Sequence, residues 1–299
     1  MGSQIGNLEF DSQTNHNADS VPEEDRFKFV DDLSCLEIIN LINIGLASHN
    51  WRQQVSNDIP THGQIIPNTS LKSQKYIEDI NTWTKNQQMI ISEKKTKAMI
   101  INFTQNYQFH TRMKLNDHNI AIVNKMKILG TIITDNCSWD ENCTSIVKKV
   151  NARMQLLHKV WSFGSNYEEM VHLWKVYCLG ILEQSCVVWG GSLTAENVND
   201  LERTQKTFCK LVMEEDYRTY NHALSTLGLT TLENRRQKLT LDFAKRSLAD
   251  NKLRDLFPIR KKEHTMTTRN TEHFKVNHAN TARYSNSPIP TMQRLLNEQ

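Results

Sequence analysis

At 299 residues the chain can bury one large core or two ordinary ones, and with 38% hydrophobic and 23% charged residues it is close enough to a globular mix to exclude disorder throughout. Gly 10 and Pro 6 make up roughly 5% of the chain where about 12% is average, which argues against collagen-like, low-complexity or turn-dense all-β chains. The net charge of +3 hides a split: the first 25 residues carry Glu9, Asp11, Asp19, Glu23, Glu24 and Asp25 with no Lys or Arg, leaving +9 on the rest, a body that tolerates polyanions without being committed to them.

Residues 1–25 lack any apolar period and read as a disordered acidic leader. Phe27 and Phe29 then alternate with Lys28 and Val30, a period of two that predicts a short strand stopped by Asp31 and Asp32. An apolar run extends from Leu33 to Leu46, and residues 48–70 read as a loop. Tyr76, Ile77, Ile80 and Trp83 share one helical face. Two strand-like pairs come next. Met89 to Ile91 and Ala98 to Phe103 are split by the charged turn Glu93-Lys94-Lys95; Ile120 to Val123 and Ile128 to Ile133 form the second pair, with Gly130 inside it.

After Trp139 the period becomes helical. Ile146, Val147, Val150, Met154, Leu157 and Trp161 form one stripe, and Met170, Leu173, Trp174, Tyr177 and Ile181 another. Thr194 and Thr231 are placed to cap two further helices, through Leu201, Phe208 and Val212 and through Leu232, Leu239 and Phe243. From about residue 251 periodicity fades into a basic, weakly structured tail that carries Pro258, Pro288 and Pro290. Trp139, Trp161, Trp174 and Trp189 sit on or beside apolar stripes, where packing outweighs base stacking.

Six cysteines, Cys35, Cys137, Cys143, Cys178, Cys186 and Cys209, form no C-x-x-C pair and have no His at zinc spacing, so they read as reduced thiols. No basic-then-apolar leader is present, and the longest apolar stretch, Ile38 to Ala47, is interrupted by Asn40 and Asn43. An intracellular protein of the cytoplasm or nucleus is expected, with no transmembrane segment.

The sharpest chemical feature is Phe29-Val30-Asp31-Asp32. Adjacent carboxylates at a hairpin tip can hold hard divalent cations, and two such metals can clamp a phosphoryl displacement. The plainer alternative is that Asp32 caps a helix beginning at Leu33. The segments downstream of Asp32 bear on that choice. The block from Phe27 to Glu37, the Trp83 helix, Ile91-Ser92-Glu93-Lys94-Lys95-Thr96-Lys97 and Lys127-Ile128-Leu129-Gly130-Thr131-Ile132-Ile133 resemble, in order, the later palm of LINE-type, jockey-like non-LTR retrotransposon reverse transcriptases. The similarity continues through Ile181 to Trp189, Leu201 to Lys206 and Leu227 to Arg236, and covers roughly residues 26–296.

The resemblance implies an α+β chain: a partial reverse-transcriptase palm of short antiparallel strands and helices at 26–140, an all-helical thumb at 141–250, and the tail at 251–299. It implies Mg²⁺ or Mn²⁺ on Asp31 and Asp32, no organic cofactor, and Lys95 near the triphosphate as general acid. Leu129 and Gly130 would form the primer-grip turn, where a residue without Cβ lets backbone approach the strand. Arg203, Lys206, Lys210, Arg235, Arg236, Lys238, Lys245 and Arg246 would hold an RNA template and DNA primer through phosphates, although Glu202, Glu214, Glu215 and Asp242 are interleaved.

This sequence departs from the family at Phe29, where Tyr is commoner, and at Ser92, where Asn is expected. More severely, only 28 residues precede Phe29, so the earlier strand bearing another catalytic Asp, the nucleotide-positioning segment and the fingers are expected to be absent. RNA-directed DNA polymerase activity, a nucleotidyl transfer using dNTPs, is therefore expected of the family and not of this chain alone, because two-metal catalysis depends on charge placement. The alternatives are a non-catalytic nucleic-acid-binding remnant and a helical interaction protein.

Overall fold

A computed structural model describes residues 26–29, 32–35, 72–86, 88–101, 112–259 and 274–298. The acidic leader, most of the Leu33 to Leu46 run and the loop at 48–70 lie outside the described residues. The chain is α+β and divides into two units, 1–126 and 127–299.

In the first unit, β1 (Arg26–Phe29) runs antiparallel to β2 (Asp32–Cys35), in register from Arg26 opposite Cys35 to Phe29 opposite Asp32. Asp32 thus opens a strand, and the alternative of a helix cap is overturned. α1 (Lys72–Asn86) buries Tyr76 and half-buries Ile77 and Ile80, the face its spacing dictates.

The first of the two strand-like pairs is corrected here. Met89 to Ile91 is not a strand, and Ile90 is 95% exposed. Of the described residues of the second run, 98–101, only Ala98 is in a strand, β3 (Lys97–Ala98). The reason is that the amides of Lys95 and Thr96 both donate to the Ser92 carbonyl in a turn, and β3 pairs in parallel with a segment further along the chain. β4 (Lys114–Leu115) and β5 (His118–Asn119) form a hairpin, and β6 (Ala121–Ile122) is the partner of β3. The Gln74 side chain docks α1 on β4, accepting from the Lys114 amide at 2.9 Å and donating to its carbonyl at 3.2 Å. Met113, Leu115 and Ile120 form the small core, with Ile77, Ile91 and Ala98 against it.

The division between units falls within β7 (Lys125–Ile128), which pairs with β8 (Thr131–Thr134). Gly130 is consequently in a hairpin turn, and the expectation of one strand running through it is corrected. The remainder of the unit is helical: α2 (Asp140–Ser162), α3 (Tyr167–Trp174), a π-helical segment at Lys175–Leu179, α4 (Gly180–Glu183), α5 (Cys186–Trp189), α6 (Ala195–Met213), α7 (Tyr220–Thr226) and α8 (Leu232–Ala249). Thr194 and Thr231 cap α6 and α8 as their positions predict, each hydroxyl accepting an amide 3.2 Å away, from Asn197 and Asn234.

The core takes Ile146, Val150 and Leu157 from α2, Met170 and Trp174 from α3, and Leu201, Phe208 and Val212 from α6. Trp174 and Trp189 are fully buried, and Trp139 and Trp161 pack half-buried against the same cluster.

Residues 274–298 differ from the weakly structured tail expected there. They include α9 (Ala282–Ser285) and α10 (Pro288–Asn297), and Met292 buries beside Ala244 and Phe257. Pro288 and Pro290 read as breakers in the sequence, yet proline is well tolerated in a first helical turn, where amides lack partners. Ser192 Oγ donates to the Asn286 carbonyl at 2.7 Å, and a Cβ on Gly191 would lie 2.9 Å from that same oxygen, so only glycine fits under this contact. Among the described residues no helix is long and apolar enough to cross a membrane.

Cys137, Cys143, Cys178, Cys186 and Cys209 are free thiols. Burial pushes Cys178 and Cys186 up to about 11 and Cys143 and Cys209 up to about 12. A thiol raised on folding adds stability that is complete below its unfolded pKa, about 8.5, and is lost as pH climbs through the folded value. Thermal melts are expected to be steady from about pH 7 to 8 and to fall in midpoint between about pH 9 and 11; a midpoint that holds across that range would contradict the burial of these thiols.

Candidate nucleic-acid interface

On α6, Arg203, Lys206 and Lys210 recur at steps of three and four and so share a face turned away from Leu201, Phe208 and Val212. Arg203 and Lys210 are exposed and Lys206 is half-buried. Arg203 pairs with Asp200 at 3.0 Å. Lys206 Nζ stands 5.2 Å from the centre of the Tyr220 ring and Lys210 Nζ 5.5 Å from that of Tyr217, distances at which a ring face attracts a cation. On α8, Lys238, Lys245 and Arg246 are exposed, and Asp242 sits among them.

Arg235 and Arg236 do not join them on equal terms. Arg235 is half-buried, its Nε donating to the Glu183 carboxylate. Arg236 is 4% exposed and is corrected from a phosphate contact to a core residue. Neighbours on a helix point about 100° apart, and Arg236 falls on the line of Leu232, Thr240 and Ala244. Burial lowers its pKa against the opposing pull of Glu202 and Glu233. Glu202, itself buried, accepts from the Tyr220 hydroxyl at 2.6 Å and the Glu233 amide at 2.9 Å, and Gln205 Nε2 donates to Tyr220 Oη and the Thr230 carbonyl, both at 2.9 Å. This network joins α6, α7 and α8 and thereby fixes the two basic faces.

Sequence reasoning missed the polar side of α2. Thr144, Lys148, Asn151 and Gln155, with Asp200 of α6, line an open groove of about 450 Å³. The signal was present as Lys148-Lys149 inside an apolar stripe.

The Leu129-Gly130 turn has φ of +48° and +89°, so both residues are left-handed, as a two-residue hairpin turn requires. For Gly130 this is easy; for leucine it is uncommon. Gln184 Nε2 donates to the Leu129 carbonyl at 2.9 Å, and the Leu129 side chain stays 44% exposed.

In the first unit, Lys95 is exposed on its turn. Glu93 two residues earlier is anchored, accepting from Asn116 Nδ2 at 2.8 Å and meeting His118 Nδ1 at 2.7 Å. Asp31 and the side chain of Asp32 lie outside the described residues; the β1–β2 backbone register is what is described. Among the described residues no group of three or more His, Cys, Asp or Glu could hold a metal ion.

Comparison of the chain with protein-family models, curated proteins and solved structures found no match.

A Cβ on Gly130 would lie 2.3 Å from Gln184 Nε2. Gly130→Ala is expected to destabilise the fold by about 2 kcal/mol, combining a left-handed alanine with the displaced Gln184 hydrogen bond. In a Gln184→Ala background the same change should cost about 1 kcal/mol, the backbone part alone. Urea unfolding of the four proteins measures the difference; equal costs in both backgrounds would deny the contact.

Proposed function

We propose that this chain is a later palm and thumb portion of a retrotransposon-type reverse transcriptase, and that its helical unit binds a template–primer duplex through phosphates. The observation that carries the binding is the pair of basic faces, Arg203, Lys206 and Lys210 on α6 and Lys238, Lys245 and Arg246 on α8, held in fixed relation by the Glu202 network. The family part is supported by the order of the resembling blocks and by the left-handed hairpin turn at Leu129-Gly130.

The chemistry of the family is attack of a primer 3′ hydroxyl on a dNTP, for which Mg²⁺ or Mn²⁺ on Asp31 and Asp32 would neutralise charge on the reacting phosphates. Two adjacent carboxylates are fewer than that chemistry needs. We therefore assign these 299 residues duplex binding without polymerisation. A non-catalytic nucleic-acid-binding protein is the second reading, favoured by the same two basic faces on α6 and α8.

With four or five phosphate contacts, affinity for a duplex should fall with salt at a log–log slope of about −4, on the B-form scale. Lys238→Ala should reduce that slope by about one. Filter binding across a salt series tests both, and salt-independent binding would defeat the proposal. In primer extension on a primed RNA template with Mg²⁺, the wild-type chain should do no better than an Asp31→Ala control; extension above that control would show the catalytic half of the proposal to be wrong.

A further inference from the structure

Between α4 and α5 the chain kinks at Glu183-Gln184-Ser185, where Gln184 leaves the helical region at ψ +120° and Ser185 turns left-handed at φ +53°. Three contacts converge on this kink. Glu183 takes the Nε hydrogen of Arg235 from α8. The Gln184 amide donates to the Leu129 carbonyl, and the Gln184 carbonyl accepts from Trp189 Nε1 at 2.9 Å. Trp189 is fully buried, so the kink cannot shift without disturbing the core.

We propose that this kink ties the Leu129-Gly130 turn to the basic helix α8, so that both meet one duplex as a single rigid surface, with Gln184 as the positioning residue. The inference rests on the duplex-binding reading above and deepens it. A leucine in the left-handed region gains little from its own conformation, so the turn depends on an outside hold. Gln184 supplies that hold through the backbone and leaves the Leu129 side chain free to face a ligand. On the other side of the kink, Glu183 holds the guanidinium of Arg235 through its Nε, one turn before Lys238. The two neighbours thus connect a hairpin and a helix that lie about a hundred residues apart in sequence.

Gln184→Met keeps length and volume and removes the amide; Glu183→Gln keeps shape and removes the charge pairing to α8. The measurements are hydrogen exchange at the amides of 129–134 and affinity for an RNA–DNA hybrid across a salt series, with Lys238→Ala alongside. Gln184→Met is expected to speed exchange at the turn and raise Kd about five-fold, the scale that a neutral hydrogen bond controls, with the salt slope unchanged because no phosphate contact is lost. Glu183→Gln should also raise Kd while leaving turn exchange as in wild type, which keeps the test valid if Gln184→Met folds poorly. A purely structural role would lower melting temperature and leave the hybrid affinity of folded protein unchanged. If wild type binds the hybrid and both variants bind equally well, the inference falls and the duplex reading stands. If wild type binds no hybrid at low salt, the duplex reading falls and takes the inference with it.

Discussion

The helical unit is organised around one aromatic contact. Trp174 of α3 lies on Phe208 of α6 with ring centres 4.6 Å apart and planes 16° from parallel, and both are fully buried. The indole N–H of Trp174 has no hydrogen-bond partner among the described residues, which costs about 1–3 kcal/mol. Burying two such rings removes about 300–500 Å² of surface from water, worth on the order of 8–12 kcal/mol, so packing outweighs the orphaned donor several-fold. With Leu201, Phe208 and Val212 committed to that core, the opposite side of α6 has to face outward, and Arg203, Lys206 and Lys210 are carried there as a consequence.

A second layer of constraint is polar. Glu202 and Gln205 stand next to the aromatic core and spend their hydrogen bonds on α7, α8 and the segment between them. Burial, then the hydrogen bond to Glu202, drives the Tyr220 hydroxyl well above its ordinary range and keeps it a donor. Glu202, Tyr220 and the Gln205 amide nitrogen are paired within this network, although Gln205 Oε1 is buried with no partner among the described residues, so loss of one member leaves others buried and unpaired. The direction of α8, and with it Lys238, Lys245 and Arg246, depends on this network.

Much of the helical unit was legible from residue spacing. The stripes through Ile146, Val150 and Leu157 and through Leu201, Phe208 and Val212 repeat at helical steps, and Thr194 and Thr231 cap because a short hydroxyl before an apolar period has few better uses. The strands were harder, because β3 and β6 are two residues each and pair across an intervening hairpin, so neither carries a period long enough to read. Arg236 was hidden by type: Leu232, Arg236, Thr240 and Ala244 step by four, but the eye for hydrophobic periodicity passes over arginine and threonine. Gln184 had no local signal at all, since its partner Leu129 is 55 residues away. Of the carboxylate hairpin only the backbone register is described.

The closure of the unit by α10 also bears on how the protein reaches its native state. Ser192 meets Asn286 across 94 residues and Arg283 reaches the Asn136 carbonyl across 147. Helices such as α2 and α6 can form from neighbouring residues, whereas these contacts close very long loops. Loop-closure entropy grows only with the logarithm of length, so the thermodynamic penalty over a shorter connection is small. The kinetic consequence is larger: contacts so distant in sequence form late, and until they do Phe257, Ala244 and the glycine turn at Gly190–Ser192 have no cover. Any slow step in the folding of this unit is then expected at the docking of α9 and α10, which covers that apolar flank.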